Sequence, residues 1–206
     1  MTSSFEHSSL ALVVMAAGQS KRLGQAKQSV VYQGESLLVR QIKLCQKLST
    51  DVYCLLGFEA AMFQAEIAKL EVSVLVNQEW QRGLGSSIAA AIKQLPNTYQ
   101  AVMIVLVDQW ALTTADLNKL INTWQAQPDK IIACSNAMNT KMNEDKLLSP
   151  PIIFPRAYFQ PLTHLIGEQG AKPVLMNNRE NVEAVVINHA FFDLDTPDQL
   201  AELLKR

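Results

Sequence analysis

Short apolar segments alternate with stretches of helical periodicity along most of the chain. This alternation is typical of an α/β domain, in which helices connect the strands of a largely parallel sheet. Strands are predicted at residues 11–16, 51–56, 72–76, 101–107, 130–134, 151–154, 182–187 and, as a short one, 192–195. Helices are predicted at residues 36–48, 60–70, 86–95, 113–125, near 157–165 and 171–177, and from Pro197 onward. Segments such as VMIVLV are apolar on both faces, so we expect helices to cover both sides of the sheet.

The composition narrows the function classes. The chain has 206 residues and a formal net charge of −1, which fits a single domain at residues 10–206 after a polar, disordered tail at residues 1–9. A near-neutral charge argues against general nucleic-acid binding, which needs a basic face. No apolar run has the length of a membrane span. Cys45, Cys54 and Cys134 are expected to be buried free thiols, as suits a reducing cytoplasm.

The loop after the first predicted strand, AAGQSKRLGQAKQ, is the segment most informative about function, because it combines glycines with clustered cations. Gly18 and Gly24 let backbone N–H groups approach a ligand, while Lys21, Arg22 and Lys27 place three cations close to the end of the strand. Ligands of open α/β sheets bind at this edge, so the loop is predicted to cradle a polyphosphate. It lacks the Gly-Lys-Ser/Thr of a Walker A loop and the spacing of a dinucleotide fingerprint. The alternative is a basic, solvated turn.

This loop resembles the signature AAGxSxRxGxxK of the MobA-like NTP transferases, and its Ala-Ala-Gly form is most similar to the molybdenum cofactor cytidylyltransferases. The resemblance implies a three-layer α/β/α, Rossmann-like nucleotidyltransferase fold with a mixed, mostly parallel sheet. It also implies that the loop wraps a triphosphate, with Arg22 and Lys27 on the phosphates. The loop residues expected to bind the nucleotide are Ala16, Ala17, Gly18, Ser20, Arg22, Gly24 and Lys27.

A second segment, NQEWQRGLGSSIAAAI, resembles the part of the family that helps to bind nucleotide and acceptor. Gly83 and Gly85 free the backbone there, and Ser86 and Ser87 are placed to cap the helix and turn donors toward a ligand. Helix capping without ligand binding is the alternative. The resemblance adds Gly83, Gly85, Ser86 and Ser87 to the predicted nucleotide site.

Two aspartates are predicted to hold a metal. Asp108 ends an apolar strand at the edge that carries the phosphate loop, and a carboxylate facing a triphosphate needs a cation between them. The segment FFDLDTPDQL resembles the family's closing DIDTPEDL motif, which implies Asp195 as the second ligand, with Asp193 a weaker candidate. Solvated carboxylates beside helices are the alternative. Arg22, Lys27, Asp108 and Asp195 are therefore the predicted catalytic set, with Mg²⁺ as cofactor and Mn²⁺ as a substitute.

The acceptor side departs from the family pattern. Trp110 replaces the proline that usually follows Asp-Gln, and Ser149-Pro150-Pro151 replaces a Gly-His-Pro. The segments SPPIIFPR and GEQGAK otherwise resemble the family's later motifs. The residues expected on the acceptor side are Gln109, Trp110, Pro151, Arg156 and Lys172.

The resemblance implies attack of an acceptor oxygen on the α-phosphorus of an NTP, with release of pyrophosphate. The preferred interpretation is transfer of CMP from CTP to a molybdopterin-type cofactor, with a molybdoenzyme or its chaperone as a further partner. Transfer to a sugar, polyol or other small phosphate is a second interpretation, because related folds serve many acceptors. A non-catalytic nucleotide-binding regulator or cofactor chaperone is a third.

Overall fold

The computed structural model describes residues 9–136 and 148–205. Its strands are β1 (Leu10–Ala16), β2 (Val31–Tyr32), β3 (Glu35–Ser36), β4 (Val52–Leu56), β5 (Ser73–Val76), β6 (Ala101–Leu106), β7 (Ile131–Ser135), β8 (Leu148–Pro155) and β9 (Val182–Val186). Its α-helices are α1 (Leu37–Gln46), α2 (Ala60–Glu66), α3 (Leu84–Gln94), α4 (Thr114–Ala126), α5 (Phe159–Leu162), α6 (Lys172–Asn177) and α7 (Pro197–Leu203). The predicted alternation of strands and helices is confirmed. The expected disordered tail lies outside the described residues except for Ser9.

Seven strands form one mixed sheet in the order β5-β4-β1-β6-β8-β7-β9. β1 pairs in parallel with β4 and β6, β4 with β5, and β7 with β9. β8 runs antiparallel to both of its neighbours, β6 and β7. The predicted mixed, mostly parallel sheet is therefore confirmed.

Helices cover both faces of this sheet, because the side chains of β1 alternate between two apolar clusters. Leu12 and Val14 pack in the cluster that contains residues of α1, α2, α4 and α7. Val13 and Met15 pack in the other, with residues of α3, α5 and α6. Every residue of β1 is buried, as a strand covered on both faces requires. The three-layer α/β/α fold is confirmed.

Strand direction decides which loops share an edge. β1, β4 and β6 are parallel, so the segments that follow Ala16, Leu56 and Leu106 leave the sheet at one edge. β8 is antiparallel to β6, with Ala101 opposite Pro155, so β8 begins at this edge and ends at the opposite one. This edge is the expected location of the ligand site.

Some local predictions were wrong. Residues 192–195 form no strand: a 3₁₀ helix, Asn188–Phe191, precedes them, and the Leu194 N–H donates to the Asp108 carbonyl at 3.2 Å. Helix α2 ends at Glu66, and the helix expected near residues 157–165 is a 3₁₀ turn, Arg156–Tyr158, followed by the short α5. The hairpin of β2 and β3 was missed, because two-residue strands have no readable period.

Two helices begin at capping boxes, and the cysteines match expectation. Thr113 and Asp116 form a reciprocal capping box at α4, and Thr196 and Gln199 form another at α7. The three cysteines are free and buried. In the described parts of the chain, no helix combines the length and the apolar character needed to cross a membrane.

Candidate nucleotide-binding and catalytic site

The loop after β1 is held from inside by one buried glutamine. Gln28 is 1% exposed, and its Nε2 donates to the carbonyls of Ala16 at 2.6 Å and Gly18 at 2.9 Å. The Ser20 Oγ accepts from the Lys27 N–H at 3.2 Å, which closes the loop at its far end. Because these contacts fix the inner side, the other side of the loop is available to a ligand. The sequence analysis missed Gln28, although it directly follows Lys27.

Two left-handed positions shape this loop. Ser20 has φ 59° and Gly24 has φ 79°, and a non-glycine residue at positive φ is uncommon outside strained or functional turns. A Cβ placed on Gly18 would meet no protein atom within 4 Å. Packing within the protein therefore does not require glycine at position 18, and Gly18 lines an open cavity.

That cavity has a volume of about 310 Å³ and is lined mostly by polar and charged residues. Of the predicted nucleotide-binding residues, those that line it are Ala17, Gly18, Ser20, Arg22, Lys27, Gly83 and Ser87. Ala16, Gly24, Gly85 and Ser86 do not line it. Trp80, which the sequence shows just before GLGSS, and Glu168 line it but were not predicted. The first loop and the start of α3 thus face each other across one pocket.

The GLGSS turn has glycines for a different reason from the one expected. A Cβ on Gly83 would lie 2.5 Å from the Gly167 carbonyl, and one on Gly85 would lie 2.7 Å from the Ile166 oxygen. The Gly85 N–H already donates to the Gly167 carbonyl at 2.8 Å. These glycines admit another segment of the chain, and the predicted role of Gly85 in the nucleotide site stays a prediction.

The serines of this turn do not cap α3. Gly83 is the N-cap residue and has no side-chain cap bond, whereas Ser86 and Ser87 lie inside the helix. The Ser86 Oγ donates to the Gly83 carbonyl at 2.8 Å, and the buried Asn77 donates to both serine hydroxyls. The network fixes the turn, and only Ser87 of the pair lines the cavity.

The predicted catalytic residues converge from three distant segments. The Lys27 Nζ donates to Asp108 Oδ2 at 2.6 Å and to Asp195 Oδ1 at 2.5 Å. Arg22 approaches the same Asp195 oxygen at 3.4 Å, with its side chain 78% exposed. Lys27 and Asp108 are only 13% and 14% exposed. One half-buried ammonium therefore bridges two carboxylates at the wall of the cavity.

Charge and burial shift the pKa values of this cluster. Burial by itself lowers the pKa of Lys27, but Asp108 and Asp195 outweigh it and hold that pKa above its ordinary value. Burial raises the pKa of Asp195, yet Lys27 and Arg22 bring it below the usual range. Burial, then the charges of Asp108 and Asp195, raise the pKa of Asp193 to about 7. Asp193 is therefore a third carboxyl group of this cluster, and its charged form is disfavoured.

The donor set suits a hard divalent cation. Asp108 Oδ1 and Asp193 Oδ1 are buried and have no hydrogen-bond partner among the described residues. Carboxylate oxygens are the ligands that Mg²⁺ and Mn²⁺ prefer, and buried oxygens without partners are costly unless a cation or donor satisfies them. The described residues form no ready-made group of three metal-binding side chains. The observed cluster is instead a carboxylate pair bridged by Lys27.

The predicted acceptor residues do not form one group. Gln109 is fully buried, and its amide donates to the carbonyls of Pro150 at 2.6 Å and Ala190 at 2.7 Å, so it ties two segments together and faces no ligand. Pro151 is buried within β8. Trp110 packs edge-on against Tyr32 and does not line the polar cavity. Neither Gln109 nor Pro151 lines the polar cavity, so this geometry does not support their acceptor contacts, which stay predictions.

Arg156 and Lys172 lie in different surroundings. Arg156 follows the end of β8, and its Nη1 donates to the Tyr99 carbonyl at 2.9 Å beside the start of β6. Because β6 spans roughly 20 Å at about 3.3 Å per residue, Arg156 lies at the opposite edge of the sheet from Asp108. This position does not support its expected acceptor role, which stays a prediction. Lys172 begins α6 and is exposed at the rim of a second cavity.

A Rossmann-like sheet with a glycine loop and a lysine–carboxylate cluster at its ligand edge defines a nucleotide-binding α/β protein. Residues 12–182 match the family model of the MobA-like NTP transferase domain, so the chain belongs to the MobA-like NTP transferase family. The resemblance drawn from the sequence motifs is confirmed. The protein is a nucleotidyltransferase by family.

Relatives match nearly the whole chain at low identity. Purine catabolism protein PucB of Bacillus subtilis is 25% identical over 199 residues, which cover 91% of this chain and 92% of PucB. Nicotine blue oxidoreductase of Paenarthrobacter nicotinovorans is 24% identical, over 93% of this chain and 95% of that protein. The names of these two relatives describe chemistry that differs between them, so sequence similarity alone does not identify the acceptor.

Solved structures agree with the fold. Rv0371c of Mycobacterium tuberculosis H37Rv has a TM-score of 0.82 at 25% identity, covering 97% of this chain and 98% of that one. A structure of Rv0371c in complex with manganese has a TM-score of 0.77 at 23% identity, covering 96% and 98%.

Proposed function

We propose that the protein transfers CMP from CTP to a molybdopterin-type cofactor and releases pyrophosphate. The observation that carries this proposal is the bridge from Lys27 to Asp108 and Asp195 beside a polar cavity. A buried cation and carboxylates that come from separate loops suit the handling of a polyphosphate and its metal ion better than they suit a solvated surface.

The reaction needs positioning and charge neutralisation more than proton transfer. An anionic oxygen of the acceptor phosphate forms a bond to the α-phosphorus, the bond from that phosphorus to the bridging oxygen breaks, and pyrophosphate leaves with the electron pair. Lys27 and Arg22 hold the triphosphate and offset the charge that develops on the leaving group. A general base is not required, because the attacking oxygen is already ionised.

Mg²⁺, with Mn²⁺ as a substitute, is the proposed cofactor, held by Asp108 and Asp195. The free, buried Oδ1 of Asp108 supports this assignment, as does the complex of the relative Rv0371c with manganese. Bound there, the cation neutralises phosphate charge. The charges of Asp108 and Asp195 act on Asp193 as well, and together with burial they raise its pKa to about 7.

The proposed donor is CTP. This choice rests on the Ala16-Ala17-Gly18 form of the loop, with the backbone of that loop and of the Gly83–Ser87 turn as the proposed contacts to the base. A ligand that binds only the native state raises the melting temperature in proportion to its occupancy. With Mg²⁺ present, we expect CTP to raise it more than GTP or ATP does. A larger shift with GTP would reject CTP as donor.

Pyrophosphate release tests the transfer itself. The protein is incubated with each NTP, Mg²⁺ and one acceptor at a time: molybdopterin, a sugar phosphate or a polyol phosphate. We expect release with CTP and molybdopterin. Release only with another phosphate would retain nucleotidyl transfer and reject the molybdopterin acceptor. Nucleotide binding without release from any pair would favour the non-catalytic alternative.

A further inference from the structure

A second cavity, of about 380 Å³, lies on the side of the sheet covered by α3 and α6. Its size falls within the range of small-molecule sites, roughly 300–1,000 Å³. Its floor is apolar and comes from neighbouring strands, with Ile104 and Leu106 of β6 and Ile152 and Phe154 of β8. Almost all of its wall is made of aliphatic and aromatic side chains, unlike that of the nucleotide cavity.

This apolar cavity adjoins the nucleotide cavity. Leu84 lines both, and the turn after α5 gives Glu168 to the nucleotide cavity and Gln169 to the apolar one. The floor residue Leu106 lies two positions before Asp108 on the same chain segment. The end of the apolar cavity at Leu84 and Leu106 is therefore the end that faces the nucleotide cavity, although no residue of the lysine–carboxylate cluster lines the apolar cavity itself.

Among the described residues, the polar side chains that line this cavity are exposed ones at its mouth. Lys172 and Arg179 line it and are exposed, as is Gln169. Cations at an entrance favour an anionic ligand, and the apolar interior favours a body with weakly hydrated faces. A polyol bears hydroxyl groups on every side, and each hydroxyl buried here without a partner would weaken binding.

We propose that the apolar cavity binds the acceptor, and that the acceptor is a flat aromatic or heteroaromatic acid. Its ring faces lie against the apolar floor, and its polar edge and anionic group meet Gln169, Lys172 and Arg179. The assignment of the ligand as the acceptor rests on the proposed nucleotidyl transfer. A flat aromatic acceptor distinguishes the proposed transfer of CMP from transfer to sugars and polyols.

Binding of pterin-6-carboxylate, a fluorescent flat acid, tests the cavity without turnover. The full chain is titrated with this probe in the presence of Mg²⁺ and CTP. We expect one saturable site, and no displacement by excess ribitol 5-phosphate, a polyol anion. The absence of saturable binding, or displacement by ribitol phosphate, would overturn the proposal.

Matched variants locate the probe. Lys172→Glu should weaken binding by about fivefold to tenfold, because it replaces attraction with repulsion at the mouth. Lys69→Glu, at an exposed lysine that does not line the cavity, is its control and should leave binding unchanged. Equal effects of the two variants, or none from Lys172→Glu, would place the probe elsewhere.

A filling variant tests the interior. Ala171 is 8% exposed and lines the cavity, so Ala171→Leu takes up space there and should weaken probe binding by about tenfold. Met176→Asp is the second variant in case Ala171→Leu does not fold, because Met176 lines the cavity yet is 47% exposed. Met62→Asp, at a methionine 51% exposed on α2, is the control.

The two proposals fail in different ways. Probe binding that responds to these variants, without pyrophosphate release from any NTP, would reject nucleotidyl transfer and leave a binding site for flat acids. Pyrophosphate release with unaltered acceptor KM in Ala171→Leu and Met176→Asp would retain the transfer and reject the cavity as the acceptor site.

Discussion

The nucleotide cavity and the apolar cavity share Leu84 but are built in different ways. In the first, buried polar side chains hold backbone turns: Gln28 fixes the loop after β1, and Asn77 fixes the start of α3. The second has an apolar floor on the sheet and charges only at its rim. The first is therefore sensitive to the loss of a single hydrogen bond or charge, and the second to volume and rim charge.

This difference has a chemical reason. A triphosphate carries the same charge whatever the acceptor, so its binding requires fixed cations and donors. An acceptor is recognised by shape, and walls of apolar side chains can change without loss of the fold. A protein with these two cavities can retain its nucleotide chemistry while its acceptor changes.

The largest expected effect comes from a metal-binding carboxylate. Asp108→Asn should lower kcat/KM for pyrophosphate release by about 10²- to 10³-fold, because it removes charge needed to hold the cation beside the phosphates. Asp129→Asn, at an exposed aspartate, is the control. Thermal melting establishes that both variants are folded. Near-normal turnover in folded Asp108→Asn would remove the metal assignment.

The next effect separates the two cations of the cluster. Lys27→Ala should lower kcat/KM by about 10²-fold, because the 13% exposed ammonium contacts both carboxylates. Arg22→Ala should lower kcat/KM less than Lys27→Ala does, because the Arg22 side chain is 78% exposed and solvent screens its charge. Lys27→Arg should restore only part of the rate, since a planar guanidinium does not replace a compact ammonium. Unchanged kinetics in both alanine variants would make the loop a solvated turn.

The sequence predicted the fold and the lysine–carboxylate residues because each has a local signal. Strands buried on both faces read as apolar runs, and Lys27, Asp108 and Asp195 each lie in a recognisable motif at a strand end or helix start. Parallel strands then bring these ends to one edge. Asp195 does not end a strand, and its place beside Asp108 depends on a contact between distant segments, in which the Leu194 N–H donates to the Asp108 carbonyl at 3.2 Å.

The acceptor side could not be predicted in the same way, because its geometry depends on pairing between distant segments. The antiparallel direction of β8 carries Arg156 to the far edge, and no local pattern reveals that direction. Gln109 lies beside Asp108 in sequence, yet its amide points into the interior toward Pro150 and Ala190. Gly85 permits close packing against Ile166, a contact between segments that are distant in sequence.

A smaller effect concerns pH and tests the charge of the nucleotide side. Burial is the main cause that raises the pKa of Asp193 to about 7, from the ordinary value of 3.8 for an aspartate. As pH rises between these values, the unfolded chain releases its proton before the folded one, so Asp193 progressively destabilises the fold and the full cost is reached above about pH 7. Asp193→Asn removes this cost and should be increasingly more stable than the wild type as pH rises.

Denaturant unfolding in EDTA at about pH 5 and about pH 8 measures the difference, with an upper limit of about 1.4 kcal/mol for each pH unit within the window. Added Mg²⁺ should reduce the advantage of Asp193→Asn at the higher pH, because a cation beside Asp108 and Asp195 lowers the cost of a charged Asp193. A stability difference independent of pH would show that Asp193 keeps an ordinary pKa.

The smallest expected effect is at Arg156, where the sequence motif and the structure disagree most sharply. The Arg156 guanidinium donates to the Tyr99 carbonyl at the edge of the sheet opposite to Asp108, so it contacts neither cavity. Arg156→Ala should therefore change kcat and the acceptor KM by less than about twofold, and should lower the free energy of unfolding by about 1 kcal/mol through loss of one hydrogen bond. Lys172→Ala, which alters the rim of the apolar cavity, should instead raise the acceptor KM with little change in kcat. Steady-state kinetics of the two variants, measured in parallel, show which of the two residues contributes to acceptor binding. A raised acceptor KM in Arg156→Ala, with Lys172→Ala unaffected, would move the acceptor away from the apolar cavity and restore the role that the motif implied.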